Sequence, residues 1–240
     1  MSQCFKGKWR LVPLLAVLAV GCDLPGKPRE ADRPVPADQV KDFSALYATH
    51  CAGCHGADGK LGPAPPLNDP IFLAIVPDEE LRRVISEGRS VTPAQKSLMP
   101  AFARDRGGPL TAAQVQVLAE GIKARWGGVA PTGEPPPYLP PQETGDKNRG
   151  AKLFALACAA CHGDKGEGGD QAGAVNDRAF LALISDQALR RVIITGRRDL
   201  GMPAWSNDEW RSPKFKPLTS EQINDLTALL AHWRLGGSSE

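Results

Sequence analysis

Apolar residues recur at helical spacing in two matching stretches of the chain. Val115, Leu118, Ile122 and Trp126 fall three to four residues apart, and so do Ile223, Leu226, Leu230 and Trp233. That is the period of one buried helix face. Thr111 and Thr219 stand at N-cap positions ahead of these runs, and Gln222 follows Thr219 at the spacing of a capping box. Residues 40–54 and 148–161 read as helices. Asp78–Glu87 and Asp186–Thr195 read as shorter ones, each ended by a glycine, Gly88 or Gly196. No segment alternates as a half-buried strand would, so the prediction is an all-α protein.

The pattern is a duplication. Residues 68–89 match 176–197 with 13 identical positions in 22, too many for chance. Cys51-Ala-Gly-Cys-His55 matches Cys158-Ala-Ala-Cys-His162. Met99-Pro-Ala-Phe matches Met202-Pro-Ala-Trp, and Pro109-Leu-Thr matches Pro217-Leu-Thr. Two copies of this length mean tandem domains and not a solenoid of short units. Composition marks the boundaries. Residues 22–38 are polar and proline-rich, a tether. Residues 128–145 carry six prolines and read as a semi-rigid linker. The domains are therefore expected at 39–127 and 146–236.

The N-terminus changes the picture of charge and place. Lys6, Lys8 and Arg10 precede an apolar run over residues 11–20. About ten residues suit an export signal, whereas a bilayer span needs about twenty. The run ends in Leu18-Ala19-Val20-Gly21-Cys22, which resembles a bacterial lipobox with Cys22 as the lipidated residue. Loss of residues 1–21 as a signal peptide turns a formal net charge of +2 into −1, with 26 basic and 27 acidic residues. Nothing in that balance suggests a nucleic-acid binder.

Candidate chemistry lies in the cysteines. Cys4 falls in the signal and Cys22 at the lipobox. The remaining four form two C-x-x-C pairs, each followed at once by a histidine. Disulfides leave those histidines unexplained. Structural zinc needs four ligands, and no further cysteine completes a site. On a helical turn, residues i, i+3 and i+4 share a face, so two thiols can bond the vinyl groups on one porphyrin edge while the imidazole sits under the iron. This is the c-type haem signal. Beyond the signal region the chain has two methionines, Met99 and Met202, which follow their histidines by 44 and 40 residues. Matched in this way, they are candidates for the sixth ligand, a soft thioether that raises the reduction potential. His50 and His232 have no repeat partner and read as ordinary surface or packing residues.

Both halves resemble class I cytochrome c domains, in tandem as in diheme periplasmic cytochromes, over about residues 40–126 and 146–235. The resemblance implies a small helical bundle around each covalent haem c, with Cys51, Cys54, His55 and Met99 holding one and Cys158, Cys161, His162 and Met202 the other. It implies a first helix crossing the last at a glycine and an aromatic. Gly150 and Phe154 match this; Tyr47 matches the aromatic in the first half, but Phe43 replaces the glycine, predicting a more open crossing. It also implies that a Pro-Leu segment after the histidine offers a carbonyl to Nδ1. Pro66-Leu67 fits, while Ala174-Val175 lacks the proline. Arg89 and Arg197 are expected near haem propionates, the other repeated arginines on a solvated helix face, and Phe72 and Phe180 in the haem-packing core.

The expected function is one-electron transfer, without catalysis, at the outer (periplasmic) face of a bacterial membrane, the protein held there by a lipid anchor at Cys22. Expected partners are redox proteins or a membrane respiratory complex. The rival is a diheme peroxidase, which requires an iron that peroxide can reach.

Overall fold

The computed structural model describes residues 33–60, 64–89, 99–128, 131–206 and 214–237. Cys22 and the signal region lie outside the described residues. Among the described residues the regular structure is helical, with two isolated bridges, Ala103 with Leu110 and Arg197 with Met202. Residues 1–39 form one unit, whose described regular structure is a 3-10 turn, Ala37–Gln39. Residues 40–240 form the other compact unit and hold both halves of the repeat.

The first half contains α1 (Phe43–His50), α2 (Ala52–His55), α3 (Pro70–Ile75), α4 (Asp78–Glu87) and α5 (Ala112–Trp126). The second repeats them as α6 (Lys147–Ala157), α7 (Ala159–His162), α8 (Arg178–Leu183), α9 (Asp186–Thr195) and α10 (Ser220–Arg234). Short polar side chains start seven of these helices, α2, α4 and α7 being the exceptions, by accepting orphan backbone N–H groups. Asp42 accepts from Ala45 N, and Asp69 and Asp177 accept from Phe72 N and Phe180 N. Both final helices open with a full capping box, Thr219 with Gln222 and also Thr111 with Gln114. The helices expected over 40–54 and 148–161 each break in two, because Cys51 (φ −120°) and Cys158 (φ −127°) leave helical geometry. That bend starts a separate turn for each C-x-x-C-H motif.

The last helix crosses the first in each half. In the second half, a Cβ on Gly150 of α6 would lie 2.3 Å from the Asp225 carbonyl oxygen of α10, so glycine is what lets the backbones meet. In the first half the crossing is the more open one, as Phe43 in place of the glycine predicts. Gly121 of α5 supplies the small residue, and a Cβ there would lie 2.1 Å from Cδ2 of Phe43. The large–small pair is kept with its sides exchanged: Phe43 against Gly121, Gly150 against Leu229.

The halves share packing. Ile71 of α3 belongs to the second half's apolar core, and Tyr138 of the linker to the first half's. Tyr138 is 3% exposed and packs on Phe72, ring centres 5.9 Å apart. Its carbonyl accepts from Gln187 and from Arg190, whose guanidinium also reaches the Pro137 carbonyl and Ser220. Arg190 is 1% exposed. Arg190 and Arg191 are therefore not on a solvated face. α9 is covered by α10 on one side and by α3 of the first half on another, whereas α4 buries only Leu81 and Ile85.

Candidate cofactor site

Each motif sits on one turn. Cys51 N–H donates to the Tyr47 carbonyl as α1 ends, and the Cys51 carbonyl then accepts from Cys54 and His55. Cys158, Cys161 and His162 repeat every one of these bonds. The four thiols are unbridged. Burial first, and then the neighbouring Cys54, push the Cys51 thiol up to about 11, so it stays protonated at neutral pH. Among the described residues no cluster of three or more His, Cys, Asp or Glu side chains is placed to hold a metal ion.

The segment after each histidine is tied back to it. His55 Nδ1 lies 3.3 Å from the Pro65 carbonyl, and His162 Nδ1 lies 3.0 Å from that of Gly173. A carbonyl oxygen only accepts, so these bonds place the proton on Nδ1 and leave Nε2 as the free donor atom. The acceptor is one residue ahead of the Pro66-Leu67 pair, and in the second half one ahead of Ala174-Val175. The missing proline at 174 therefore leaves the acceptor in place. Burial, opposed by the Pro65 bond and reinforced by Arg191 and Arg89, lowers the His55 pKa and favours the neutral imidazole. Tyr47 donates from its hydroxyl to the Gly56 carbonyl at 2.9 Å, and burial raises its pKa to about 12.

The methionine loops are zipped to the ends of α4 and α9. Arg89 N–H donates to the Met99 carbonyl at 2.9 Å, and Phe102 N–H to the Ile85 carbonyl at 3.1 Å. Arg197 bonds Met202 in both directions at 3.0 Å, and Trp205 N–H donates to the Ile194 carbonyl at 3.1 Å. This explains the Met-Pro-Ala-aromatic motif: the methionine and the residue three later dock on the same helix end. Gly88 and Gly196 make the docking possible. Their φ values are +70° and +69° with ψ of −157° and −172°, a region essentially reserved for glycine. A Cβ would fall 2.3 Å from the Met99 carbonyl oxygen or 2.5 Å from that of Met202.

These pieces meet around one cavity of about 1400 Å³. Its wall is mostly apolar, and it includes all eight motif residues: Cys51, Cys54, His55, Met99, Cys158, Cys161, His162 and Met202. Arg89, Arg191 and Arg197 also line it, as does His50, which packs edge-on against Phe102. His232 lies elsewhere, with Nε2 3.3 Å from Lys147 Nζ. Phe72, 3% exposed, and Phe180, 42% exposed, both line the cavity, the place expected of haem-packing rings. Reading the sequence put Arg190 and Arg191 on a solvated face and missed Tyr138. The single tyrosine within the proline-rich stretch was the one available signal.

Two thiols and an imidazole on one turn, a methionine at the cavity wall, and apolar surroundings fit a porphyrin in each half. The class is a c-type cytochrome with two haem c domains. More narrowly, the chain belongs to the family of cytochrome c oxidase, cbb3-type, subunit III, whose model matches residues 38–120 and again 145–229. It is 33% identical over 166 residues to the cbb3-type cytochrome c oxidase subunit FixP of Bradyrhizobium sp. (strain ORS 278), covering 67% of this chain. It spans only about half of that relative's own length, 52%. It is also 29% identical over 189 residues to a cytochrome bc1 complex cytochrome c subunit of Mycobacterium bovis, covering 72% of this chain and 62% of that one. Reduced recombinant cytochrome c4 from Pseudomonas stutzeri aligns over 79% of this chain and 97% of its own at 21% identity, with a TM-score of 0.24.

Proposed function

We propose that this chain is the electron-transferring subunit of a membrane redox complex, or a carrier tethered beside one, with His55 and Met99 as axial ligands of the first haem and His162 and Met202 of the second. Cys51 and Cys54 would hold the first haem by thioether bonds, and Cys158 and Cys161 the second. The observation that carries the assignment is that each histidine turn and its own methionine line the same apolar cavity. The bound haems supply one-electron Fe(III)/Fe(II) exchange. The chain fixes each imidazole through a carbonyl on Nδ1 and holds each methionine segment on the end of a helix. A methionine in both halves leaves no ligand position intended for peroxide, so the peroxidase reading has no observation in its favour.

The tethering belongs to the same proposal. The domains at 39–127 and 146–236, joined by 128–145, would be held by residues 22–38 to a lipid on Cys22 at the periplasmic face. Among the described residues no helix is long and apolar enough to cross a membrane. Partners of the kind named for the relatives, an oxidase or a bc1 complex, are the first to test. Haem-specific alkaline pyridine spectra of the purified full chain should count two haem c groups. Met99→Ala and Met202→Ala should each remove half of the sulfur–iron charge-transfer band and lower one of two redox waves. An unchanged band in both variants would refute the ligand assignment. Full-length protein should sediment with membranes, and Cys22→Ser should release it.

A further inference from the structure

The repeated arginine pairs, Arg82-Arg83 and Arg190-Arg191, hold the same place in the duplicated sequence but not the same surroundings. Arg83 stays on the outside of α4, paired with Glu80 at 2.7 Å and Glu87 at 3.3 Å. Its counterpart Arg191 on α9 is 6% exposed and reaches out of its own half into the first. The guanidinium carbon lies 3.5 Å from the centre of the Phe72 ring, and Nη2 donates to the Pro66 carbonyl. Pro66 follows Pro65, whose carbonyl faces Nδ1 of His55. Arg191 also lines the cavity with His55 and Met99.

No ion pair to Arg191 is found among the described residues. A ring face and a carbonyl hold it directly, and Asp69 acts on it only at longer range. Burial lowers its pKa only to about 10, so the cation persists at neutral pH. Arg197, on the second half's side of the cavity, is already engaged by Asp199 at 2.8 Å.

We propose that Arg191 sets the reduction potential of the first haem from the second half of the chain, holding it above that of the second haem. The effect is electrostatic. An iron in the ferric state carries one more positive charge than in the ferrous state. A fixed cation in dry surroundings disfavours the extra charge, and low dielectric keeps that interaction strong. Hydrogen bonds around the axial histidine and local burial are the levers by which a protein tunes haem iron. Arg191 sits beside the carbonyl segment that orients His55. Arg83 is held on its own helix by two glutamates and performs no such role toward the second half. Electrons entering at the second haem are then drawn to the first. This role rests on the ligand assignment of the proposed function.

The test is spectroelectrochemical titration of the intact holoprotein. The wave that persists in Met202→Ala identifies the first haem. Arg191→Gln should lower that wave by about a tenfold change in the one-electron equilibrium, about 59 mV, and leave the other in place. Arg191→Lys should keep most of the wild-type potential, and Arg83→Gln should move neither wave. Should Arg191→Gln fail to fold, Arg191→Met fills the same apolar site without charge and gives the same reading. The proposal falls if neutral variants leave the first wave unmoved, if both waves move together, or if lysine lowers the potential as much as glutamine. Absence of two methionine-ligated haems in the wild type would refute the functional reading instead.

Discussion

At the scale of single residues, Gly196 shows how a backbone position governs a side chain several residues away. Its φ of +69° with an extended ψ lets α9 stop and the chain turn back so that Arg197 and Met202 exchange two backbone hydrogen bonds. An alanine there meets both an unfavourable backbone region, worth about 1–3 kcal/mol, and the Met202 carbonyl oxygen 2.5 Å from its Cβ. Gly196→Ala should therefore weaken or lose the sulfur–iron band of the second haem while the first keeps its own, with the melting temperature falling by several degrees. Absorption spectra of the variant decide it: an undiminished band would show that the glycine does not position the methionine. The site was legible at this scale because haem attachment demands fixed spacings. Cys, His and Met were found by their spacing, as was the glycine at each helix end. What spacing could not show was that Gly88 and Gly196 accommodate the methionine segment as well as ending a helix.

Among elements, the crossing of α6 and α10 is held by a polar clasp as well as by Gly150. Asp225, 4% exposed, accepts from Arg149 Nε and Nη2 at 2.8 Å and from Asp146 N–H at 2.7 Å. Burial alone would raise its pKa, but Arg149 and the Asp146 N–H outweigh it, and the net shift is downward. A carboxylate with a depressed folded pKa adds stability above its unfolded value, about 3.9. That stability is lost as the pH falls through the folded value. Asp225→Asn should cost about 1 kcal/mol near neutrality, since Arg149 is largely exposed and the surviving carbonyl still accepts one bond. Below the folded pKa the difference from wild type should vanish, and urea midpoints measured from pH 7 to pH 2 would reveal it; a pH-independent gap would refute the charged clasp. The helices themselves were readable from apolar period and caps. The open crossing of α1 and α5 was readable too, from Phe43 in the glycine's place, but the partner that makes room for its ring was not. Phe43 can be understood only together with Gly121, 78 positions along the chain.

For the whole molecule, duplication hides asymmetry. α4 and α9 share Leu-Arg-Arg-Val-Ile, and from sequence both arginine pairs look solvated. Their fates differ because α9 lies against α3 of the other half, and pairing between halves leaves no periodic trace. The proline-rich linker takes part in this. Tyr138 puts its ring into the first half's core while its carbonyl is held by Arg190 and Gln187 of the second. Arg89 adds a bond to Ser185 Oγ at 3.2 Å. With an aromatic ring, a buried arginine and two helices spanning the junction, neither half can open without exposing apolar surface of the other. The holoprotein should therefore unfold in one calorimetric transition, not two. Tyr138→Ala removes a fully buried ring at a cost of about 3 kcal/mol, and the loss falls on the junction and not inside either helical half. The variant's scan should broaden or split as the halves uncouple, while both haems keep their sulfur–iron bands. Two resolved transitions already present in the wild type would mean that the halves are independent, and that the linker's tyrosine packs without joining them.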